Sequence, residues 1–357
     1  MTVGLTAAIA KGGVVHSQEY EIDLSDLEKK PYTFGGFVEA EPILFGLDRD
    51  SASYELRFSD EDLGGTTGQY SLGVRLEGSY EKGPFYAGGR FETFLTNDYR
   101  GWDESFAIQE GYVSYKPSLN FTLDVGKRVN KWGTGYFRNP VSFVDRQKDP
   151  EDPQEALEGF YGVKAEVVKS FAGPLKTLTV TPVLLPVTED INADFGQRDH
   201  VNFATKVYLL LWNTDIDFVF FTGGSRAQSV GLDFARNITS NFEIHGEMAW
   251  FKDFERRFPS PGGGLETERS TVPAGLIGIR YLTTSLTTFI VEYYHNGGGL
   301  REEETTSFYR RVHEAAANDE LSLPSGLQEL KAAVGVPAGL VDDLQQGVAA
   351  HMEGAGA

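Results

Sequence analysis

The chain has 357 residues, of which 13% are aromatic and 41 are glycine, and it contains no cysteine. The absence of cysteine excludes disulfides, thiolate metal sites and a cysteine nucleophile. Its formal net charge of −20 repels phosphate backbones, so we expect no nucleic-acid partner. No stretch of about 18 apolar residues occurs, which excludes helical membrane spans and leaves strands as the only means of crossing a bilayer.

Residues 1–30 differ from the rest of the chain. The first eighteen, MTVGLTAAIAKGGVVHSQ, contain a short apolar run that resembles the remnant of a signal peptide but has no basic region before it. The acidic segment EYEIDLSDLEKK follows, and we interpret it as a solvated, periplasmic lead-in. Residues 1–30 are therefore expected to precede the folded domain.

From Tyr32 to Asn296 the chain is a series of segments of roughly ten residues with alternating polarity, separated by turn residues. In residues 69–80 apolar side chains alternate with Ser, Arg and Glu, and an aromatic residue stands at each end of the apolar face. Residues 241–251 and 286–296 show the same alternation. The pattern predicts an all-β, transmembrane antiparallel β-barrel over residues 31–299, with about 14 strands visible and roughly 16–18 in a complete barrel.

The connections between these segments alternate in length. We predict tight turns at residues 172–174, 239–241 and 283–285, and long loops at residues 59–68, 130–158, 190–199 and 256–271. Short periplasmic turns and long outer loops are typical of outer-membrane barrels. A soluble β-sandwich or propeller is the alternative, but the sequence has no blade-like repeat.

After Asn296 the alternation stops, and residues 300–357 are rich in Ala, Leu and Glu at helical spacing. Two interpretations remain open. Either the last strands are missing because the sequence is truncated or frame-shifted, or the segment is an appended loop and helical tail. We favour truncation, because an open sheet in lipid leaves unpaired backbone groups.

One short motif is distinctive. Residues 126–135 read GKRVNKWGTG and are followed by RNP at 138–140 and DPEDP at 149–153. This element resembles porin-like outer-membrane proteins of the alginate-export and related proteobacterial channel families, and the resemblance extends over the strand-rich stretch. It implies a strand that leads into a long loop at the entrance or constriction of a channel. The predicted loop and constriction residues are Lys131, Trp132, Gly133, Gly135 and Arg138.

The same motif contains a local basic cluster of Lys127, Arg128, Lys131 and Arg138. At a constriction such a cluster would favour anions. The alternative is charge pairing with the acidic residues between positions 145 and 152, and the sequence does not separate the two.

Strand parity assigns a mixed set of side chains to the lumen. Alginate exporters have a strongly basic pore, and this sequence departs from that pattern because acidic residues outnumber basic ones. A mixed-sign lumen suits a narrow pore whose walls pair, or a weakly cation-preferring one. The predicted pore-lining residues are Arg75, Glu77, Arg90, Glu92, Glu110, Asp124, Arg128, Lys164, Lys206, Asp217, Glu243, His245, Glu247, Arg280 and Glu292.

Catalytic motifs are absent from the sequence. The six histidines form no HExxH pair and there is no G-x-S-x-G element, so we expect neither an enzyme nor a bound metal or cofactor. His245 with Glu243 and Glu247 is the only candidate constellation for an outer-membrane hydrolase, which is one alternative function.

The predicted function is a porin-like channel that passes small solutes or ions across the outer membrane of a Gram-negative bacterium. Its expected partners are outer-membrane lipid, lipopolysaccharide and the barrel assembly machinery. A second alternative is a structural sheath around a partner protein, such as an electron-transfer conduit. A lumen that holds a folded partner needs more than about twenty strands, and fewer are visible.

Overall fold

The computed structural model describes residues 30–51, 54, 63–148, 157–259 and 265–317. These residues form one antiparallel sheet of 13 strands, in which each strand pairs with the next along the chain. The strands are β1 Tyr32–Gly46, β2 Thr66–Lys82, β3 Phe85–Asp98, β4 Gly101–Ser118, β5 Phe121–Arg128, β6 Phe160–Ser170, β7 Leu175–Val187, β8 His200–Leu211, β9 Thr214–Thr222, β10 Gln228–Thr239, β11 Phe242–Pro259, β12 Leu265–Leu282 and β13 Thr288–Asn296. The order is that of an up-and-down barrel wall, and the all-β fold class is confirmed.

The described residues contain 13 strands, where the sequence indicated about 14. Within the described residues no ladder joins β1 to β13. Because the number of strands is odd, β13 ends at the opposite end of the sheet from the start of β1. The end of β13 therefore lies beside the longer connections.

The predicted tight turns are present, and they lie at one end of the sheet together with the two-residue turn Trp212 and Asn213. The long connection predicted at residues 256–271 is wrong, because β11 continues to Pro259 and β12 begins at Leu265. A register shift between Phe251 and Phe254 interrupts the alternation of inward and outward side chains along β11, so the sequence pattern does not show that the strand continues. Beyond this bulge the two strands stay paired.

The outer face of the sheet is apolar and exposed. Phe34, Trp102 and Tyr293 are 77%, 70% and 69% exposed, far more than large apolar side chains of a soluble sheet. In the register of β1 with β2, Phe34 is opposite Gly78. The neighbouring apolar residues of the two strands lie on the same face as Phe34, so the exposed apolar surface is continuous from strand to strand. An apolar exterior of this extent matches lipid, and the fold is a transmembrane antiparallel β-barrel.

Aromatic side chains cluster where the strands meet the tight turns. Tyr32 pairs with Tyr80 across β1 and β2, and Phe85 packs on Tyr115 with ring centroids 5.1 Å apart. Phe242 and Tyr281 repeat the arrangement on β11 and β12, at 6.4 Å. This row is the aromatic girdle that a barrel places at a membrane interface.

The buried core lies inside the curved sheet rather than between two sheets. The connection between β5 and β6 is described at residues 129–148 and 157–159; we call residues 129–148 the inner loop, and they lie in the interior of the sheet. Trp132, Val141 and Phe143 of this loop are buried against the inner side chains of the wall. Their wall partners in the cluster are Phe160, Val183, Leu185, Val187, Ala204, Val219, Phe221 and Ala249.

One helix, α1 Glu302–Ala317, follows β13. Glu304 in its first turn accepts a hydrogen bond from the Arg301 backbone N–H at 2.7 Å and pairs with buried Arg256 of β11 at 2.6 Å. Of residues 300–357, for which helical spacing was predicted, Glu302–Ala317 are helical. The rest of the predicted tail and residues 1–29 lie outside the described residues. No helix in the described part is both long and apolar enough to cross a membrane.

Candidate pore interior

All 15 predicted pore-lining side chains lie on the inner face of the sheet. The assignment follows from register, since each is on the opposite parity from the exposed apolar residues of its strand. On β2, for example, Arg75 and Glu77 alternate with Leu72, Leu76 and Tyr80, which are exposed outside. That these side chains line a conducting path stays a prediction.

The wall of β2, β3 and β4 carries a compact set of ion pairs. Arg75 donates from Nε to Glu92 Oε1 at 2.8 Å, and Arg90 lies 3.6 Å from Glu77 and 3.3 Å from Glu110. The partners are directly opposite in register. The pairing holds these long side chains in fixed positions against the wall.

A β-bulge places one more polar residue in this set. The register of β3 with β4 shifts between Arg90 and Phe91, so that Gln109 and Glu110 both point inward. Gln109 is 1% exposed and donates to Glu92. The alternating pattern of the sequence did not identify Gln109, because the break in alternation at residues 108–111 is the only sequence signal for this bulge.

A second group of pairs continues around the wall. Asp124 of β5 is bracketed by Arg128 and by Lys164, whose Nζ is 3.2 Å away. Further along, Lys206 is 3.4 Å from Asp217, and Arg280 Nη2 donates to Glu243 Oε2 at 2.7 Å. The six predicted basic wall residues therefore all have a carboxylate partner.

Glu247 of β11 is used differently, because it accepts hydrogen bonds from the backbone of the inner loop. The N–H groups of Thr134 and Gly135 each donate to Oε1 at 2.5 Å, and that of Val141 donates to Oε2 at 3.2 Å. Glu247 is 4% exposed. A buried carboxylate that satisfies three backbone donors ties the loop firmly to the wall.

Glu292 of β13 provides a second attachment. Tyr136 N–H donates to Oε1 at 2.5 Å and Phe137 N–H donates to Oε2 at 2.9 Å. Glu292 Oε1 also lies 2.8 Å from Nε2 of His245. Glu247 and Glu292 together hold residues 134–141 across three strands, so these two predicted wall charges serve to position the loop.

Asp145 closes the loop on itself. Its carboxylate accepts hydrogen bonds from the backbone N–H groups of Asn130 at 2.6 Å and Trp132 at 3.1 Å, and from the Ser142 hydroxyl at 3.0 Å. Burial raises the pKa of Asp145 above its ordinary value, while these hydrogen bonds act in the opposite direction. The loop is thus a compact unit with its own polar centre.

The predicted constriction residues have unequal roles. Trp132 is 2% exposed within the core. Gly133 has φ +91°, and a Cβ added at this residue would lie 2.8 Å from Glu247 Oε1. A Cβ on Gly135 would lie 2.0 Å from the Arg138 carbonyl oxygen. Lys131 has φ +58° and is exposed. Arg138 donates to the Lys148 carbonyl at 3.1 Å.

The basic cluster predicted in the motif is not a cluster of unpaired charges. Lys127 pairs with Glu158, and Arg128 pairs with Asp124. Of the two interpretations that the sequence left open, charge pairing therefore holds for these two residues, although their partners are not among the acidic residues between positions 145 and 152. Asp145 is instead bound to backbone donors, and positions 149–152 lie outside the described residues.

Three buried carboxylates stand in a row on the inner face of β9, β10 and β11. Asp233 is opposite Asp217 on one side and Glu247 on the other. Asp233 is 1% exposed and neither of its carboxylate oxygens has a hydrogen-bond partner. Like charges directly opposite one another destabilise a sheet. Among the described residues, Lys206 offsets Asp217, and the backbone N–H groups of Thr134, Gly135 and Val141 offset Glu247.

The histidine constellation differs from the predicted one. His245 is fully buried, with Glu292 at 2.8 Å and Glu243 at 3.6 Å, whereas the predicted partner Glu247 is occupied by the loop. The Tyr136 ring packs on the imidazole edge-on at 5.3 Å. A side chain without solvent access offers no place for a substrate. In the described part of the chain no group of three His, Cys, Asp or Glu residues could hold a metal ion.

The interior is filled unevenly. Inner side chains of β7 and β9, such as Val187 and Phe221, are 0% and 1% exposed beneath the inner loop. On the opposite wall Phe37 of β1 is 46% exposed, and the Glu77 side chain is 57% exposed. A cavity of about 340 Å³ lies there, lined by Thr33, Glu77, Ser79, Tyr86, Arg90, Glu110 and Tyr112 among others.

Comparison with known proteins adds only weak likenesses. No protein family and no curated protein sequence matches the chain. Among solved structures, OmpF of Salmonella typhi in complex with daunomycin is 10% identical, with a TM-score of 0.49 over 74% of this chain and 78% of that one. OccK2 of Pseudomonas aeruginosa in complex with glucuronate is also 10% identical, with a TM-score of 0.40 over 74% and 64%.

The FrpB iron transporter from Neisseria meningitidis is 9% identical, with a TM-score of 0.35 over 77% of this chain and 50% of that one. At TM-scores below 0.5 the assignment of the fold rests on strand pairing and burial. The resemblance to the alginate-export family stays a prediction.

Proposed function

We propose that this chain is an outer-membrane channel that passes small solutes or ions, with the inner loop narrowing its lumen. The short turns would face the periplasm and the longer connections the cell exterior, as is usual for such barrels. The partners in this proposal are outer-membrane lipid, lipopolysaccharide and the barrel assembly machinery of a Gram-negative bacterium.

The observation that carries the proposal is the contrast between the two faces of the wall. The outer face is apolar and exposed, whereas the inner face carries paired charges and a partly open cavity. A charged inner surface is stable only in contact with water or with opposite charges. A wetted interior within an apolar wall is what a diffusion channel requires.

The sheath alternative is less well supported. A sheath needs an empty lumen, and here the inner loop is bound to the wall by Glu247 and Glu292 and packs on the core cluster. A folded partner would have to displace this loop. The hydrolase alternative is weakened by the complete burial of His245.

Single-channel recording tests the proposal. The full chain, folded in detergent and added to a planar lipid bilayer, should give discrete and reproducible conductance steps in 1 M KCl. Circular dichroism on the same sample should be dominated by strand. A correctly folded protein that inserts and stays electrically silent would contradict the channel and favour the sheath.

A further inference from the structure

The inner face of β1 to β4 is organised in cross-strand rows. One row consists of Glu41, Ser71, Thr96 and Asp103, which are directly opposite one another in register. The Ser71 and Thr96 hydroxyl oxygens are 3.2 Å apart. Every side chain of this row presents oxygen, both ends are carboxylates, and Glu41 and Asp103 are exposed.

The neighbouring rows differ in their charge balance. Glu39 stands in the next row opposite Gly73, and the two rows after it contain the pairs of Arg75 with Glu92 and of Arg90 with Glu77 and Glu110. The arginines are thus neutralised by their own partners. No ion pair between described residues involves Glu39, Glu41 or Asp103.

Acidic side chains outnumber basic ones on the inner face of β1 to β4, so this wall has a net negative charge. Two further bases lie at the ends of this wall. Lys116 lies over the Tyr86 ring at the tight-turn end, 5.1 Å from the centroid, and Arg100 of the β3–β4 turn donates to Asp98 Oδ2 at 3.0 Å at the other end. By register, the inner face of β1 to β4 carries eight carboxylates, namely Glu39, Glu41, Glu77, Glu81, Glu92, Asp98, Asp103 and Glu110, and three bases, namely Arg75, Arg90 and Lys116.

We propose that permeation runs off-centre along this wall of β1 to β4, and that the wall makes the path prefer small cations. The inner loop covers the opposite side, where the inner side chains of β7 and β9 are buried. Unpaired carboxylates in a narrow aqueous path raise the local concentration of cations. This inference rests on the proposed channel function.

Reversal potentials in a KCl gradient test the class of ion. The wild-type chain should show a cation-selective reversal potential that grows as salt is lowered, because the field of wall charges is screened over about 8–10 Å at 0.1–0.15 M salt. The triple variant Glu39→Gln, Glu41→Gln, Asp103→Asn should move the reversal potential towards zero. The matched variant Glu189→Gln, Asp190→Asn changes exposed acids of the β7–β8 connection and should leave it unchanged.

The possible results of this recording separate the cation preference from the channel function itself. A channel that conducts without cation preference, or whose preference survives the triple substitution, overturns the inference but leaves the channel intact. Absence of conductance in the wild type overturns the channel itself. The two failures are therefore distinguishable.

Thiol labelling tests the location of the path, and the native chain contains no cysteine to interfere. Ser71→Cys places a thiol in the oxygen row, whereas Ala204→Cys places one on the inner face of β8 at a position that is 1% exposed. A charged methanethiosulfonate reagent should reduce the conductance of the first variant and leave the second unaffected. Block of the Ala204→Cys channel with an unaffected Ser71→Cys channel would put the path on the other side.

Discussion

Glu247 attaches the inner loop to the wall through three backbone hydrogen bonds. Glu247→Gln replaces one acceptor oxygen with an amide NH2 group, which is a donor facing backbone donors. We expect a loss of unfolding free energy on the order of 2 kcal/mol, the scale of a hydrogen bond to a charged group. Denaturation in lipid vesicles measures it, and the conductance should also become noisier as the loop loosens.

The control is Glu166→Gln, since Glu166 is on the inner face of β6 with no hydrogen bond to the described part of the inner loop. It should change stability by no more than about 0.5 kcal/mol, as most substitutions away from such contacts do. Equal losses in the two variants would show that Glu247 acts as a general wall charge.

Substitution of Gly133 tests the backbone conformation of the inner loop where the loop contacts Glu247. Its φ of +91° disfavours any L side chain, and an added Cβ would lie 2.8 Å from Glu247 Oε1. Gly133→Ala should therefore cost at least about 1 kcal/mol of unfolding free energy. Gly83→Ala, at a turn with φ +58° and open space, carries the backbone strain alone and should cost less.

At the scale of elements, the inner loop is an integral part of the core. Trp132 is 2% exposed among side chains of the wall, so Trp132→Ala should cost about 3–5 kcal/mol by loss of packing. Because the loop then moves, single-channel conductance should rise relative to the wild type. Trp102→Ala, a substitution of a 70% exposed tryptophan on the outer face, should leave conductance unchanged.

Deletion of most of the loop extends the same reasoning. A chain in which residues 131–148 are replaced by a short Gly/Ser linker should keep its strand pairing, which runs through neighbouring strands, and should conduct more current. Unchanged conductance and ion selectivity would mean that the loop is not part of the constriction. Circular dichroism distinguishes that result from a failure to fold.

At the scale of the whole molecule, the two faces of the wall should respond oppositely to charge. Arg90→Glu places an acid on the wetted inner face, where we expect normal membrane assembly and a reversal potential shifted towards cations. Ile279→Arg places a charge on the outer face, where Ile279 is 41% exposed. Its cost is about 2–4 kcal/mol if the position is at the bilayer midplane, and insertion should be impaired.

Val74→Glu on the same outer face should also impair insertion, although by less, because acidic side chains cost less than basic ones in this setting. Insertion is measured by folding into vesicles followed by protease protection. If inner and outer substitutions behave alike, the assignment of the two faces is wrong and the channel proposal fails with it.

The sequence by itself determined the strands and the direction in which their side chains point. A period of two residues places Arg75 and Leu76 on opposite faces whatever the neighbours are, so all 15 predicted inner residues could be assigned from local pattern. The pattern failed where a bulge interrupts the period, at Gln109 and at residues 252–254. There one extra residue changes the face of the following side chain.

Only the tertiary structure decided which of these side chains meet. Glu247 is more than one hundred residues from the Thr134 and Gly135 amides that it binds, and no local spacing encodes that contact. The structure also showed that the loop covers one side of the lumen and that the arginines of β2 and β3 are paired. Both follow from strand register and from the path of the loop through the interior, which depend on the energy of the whole fold.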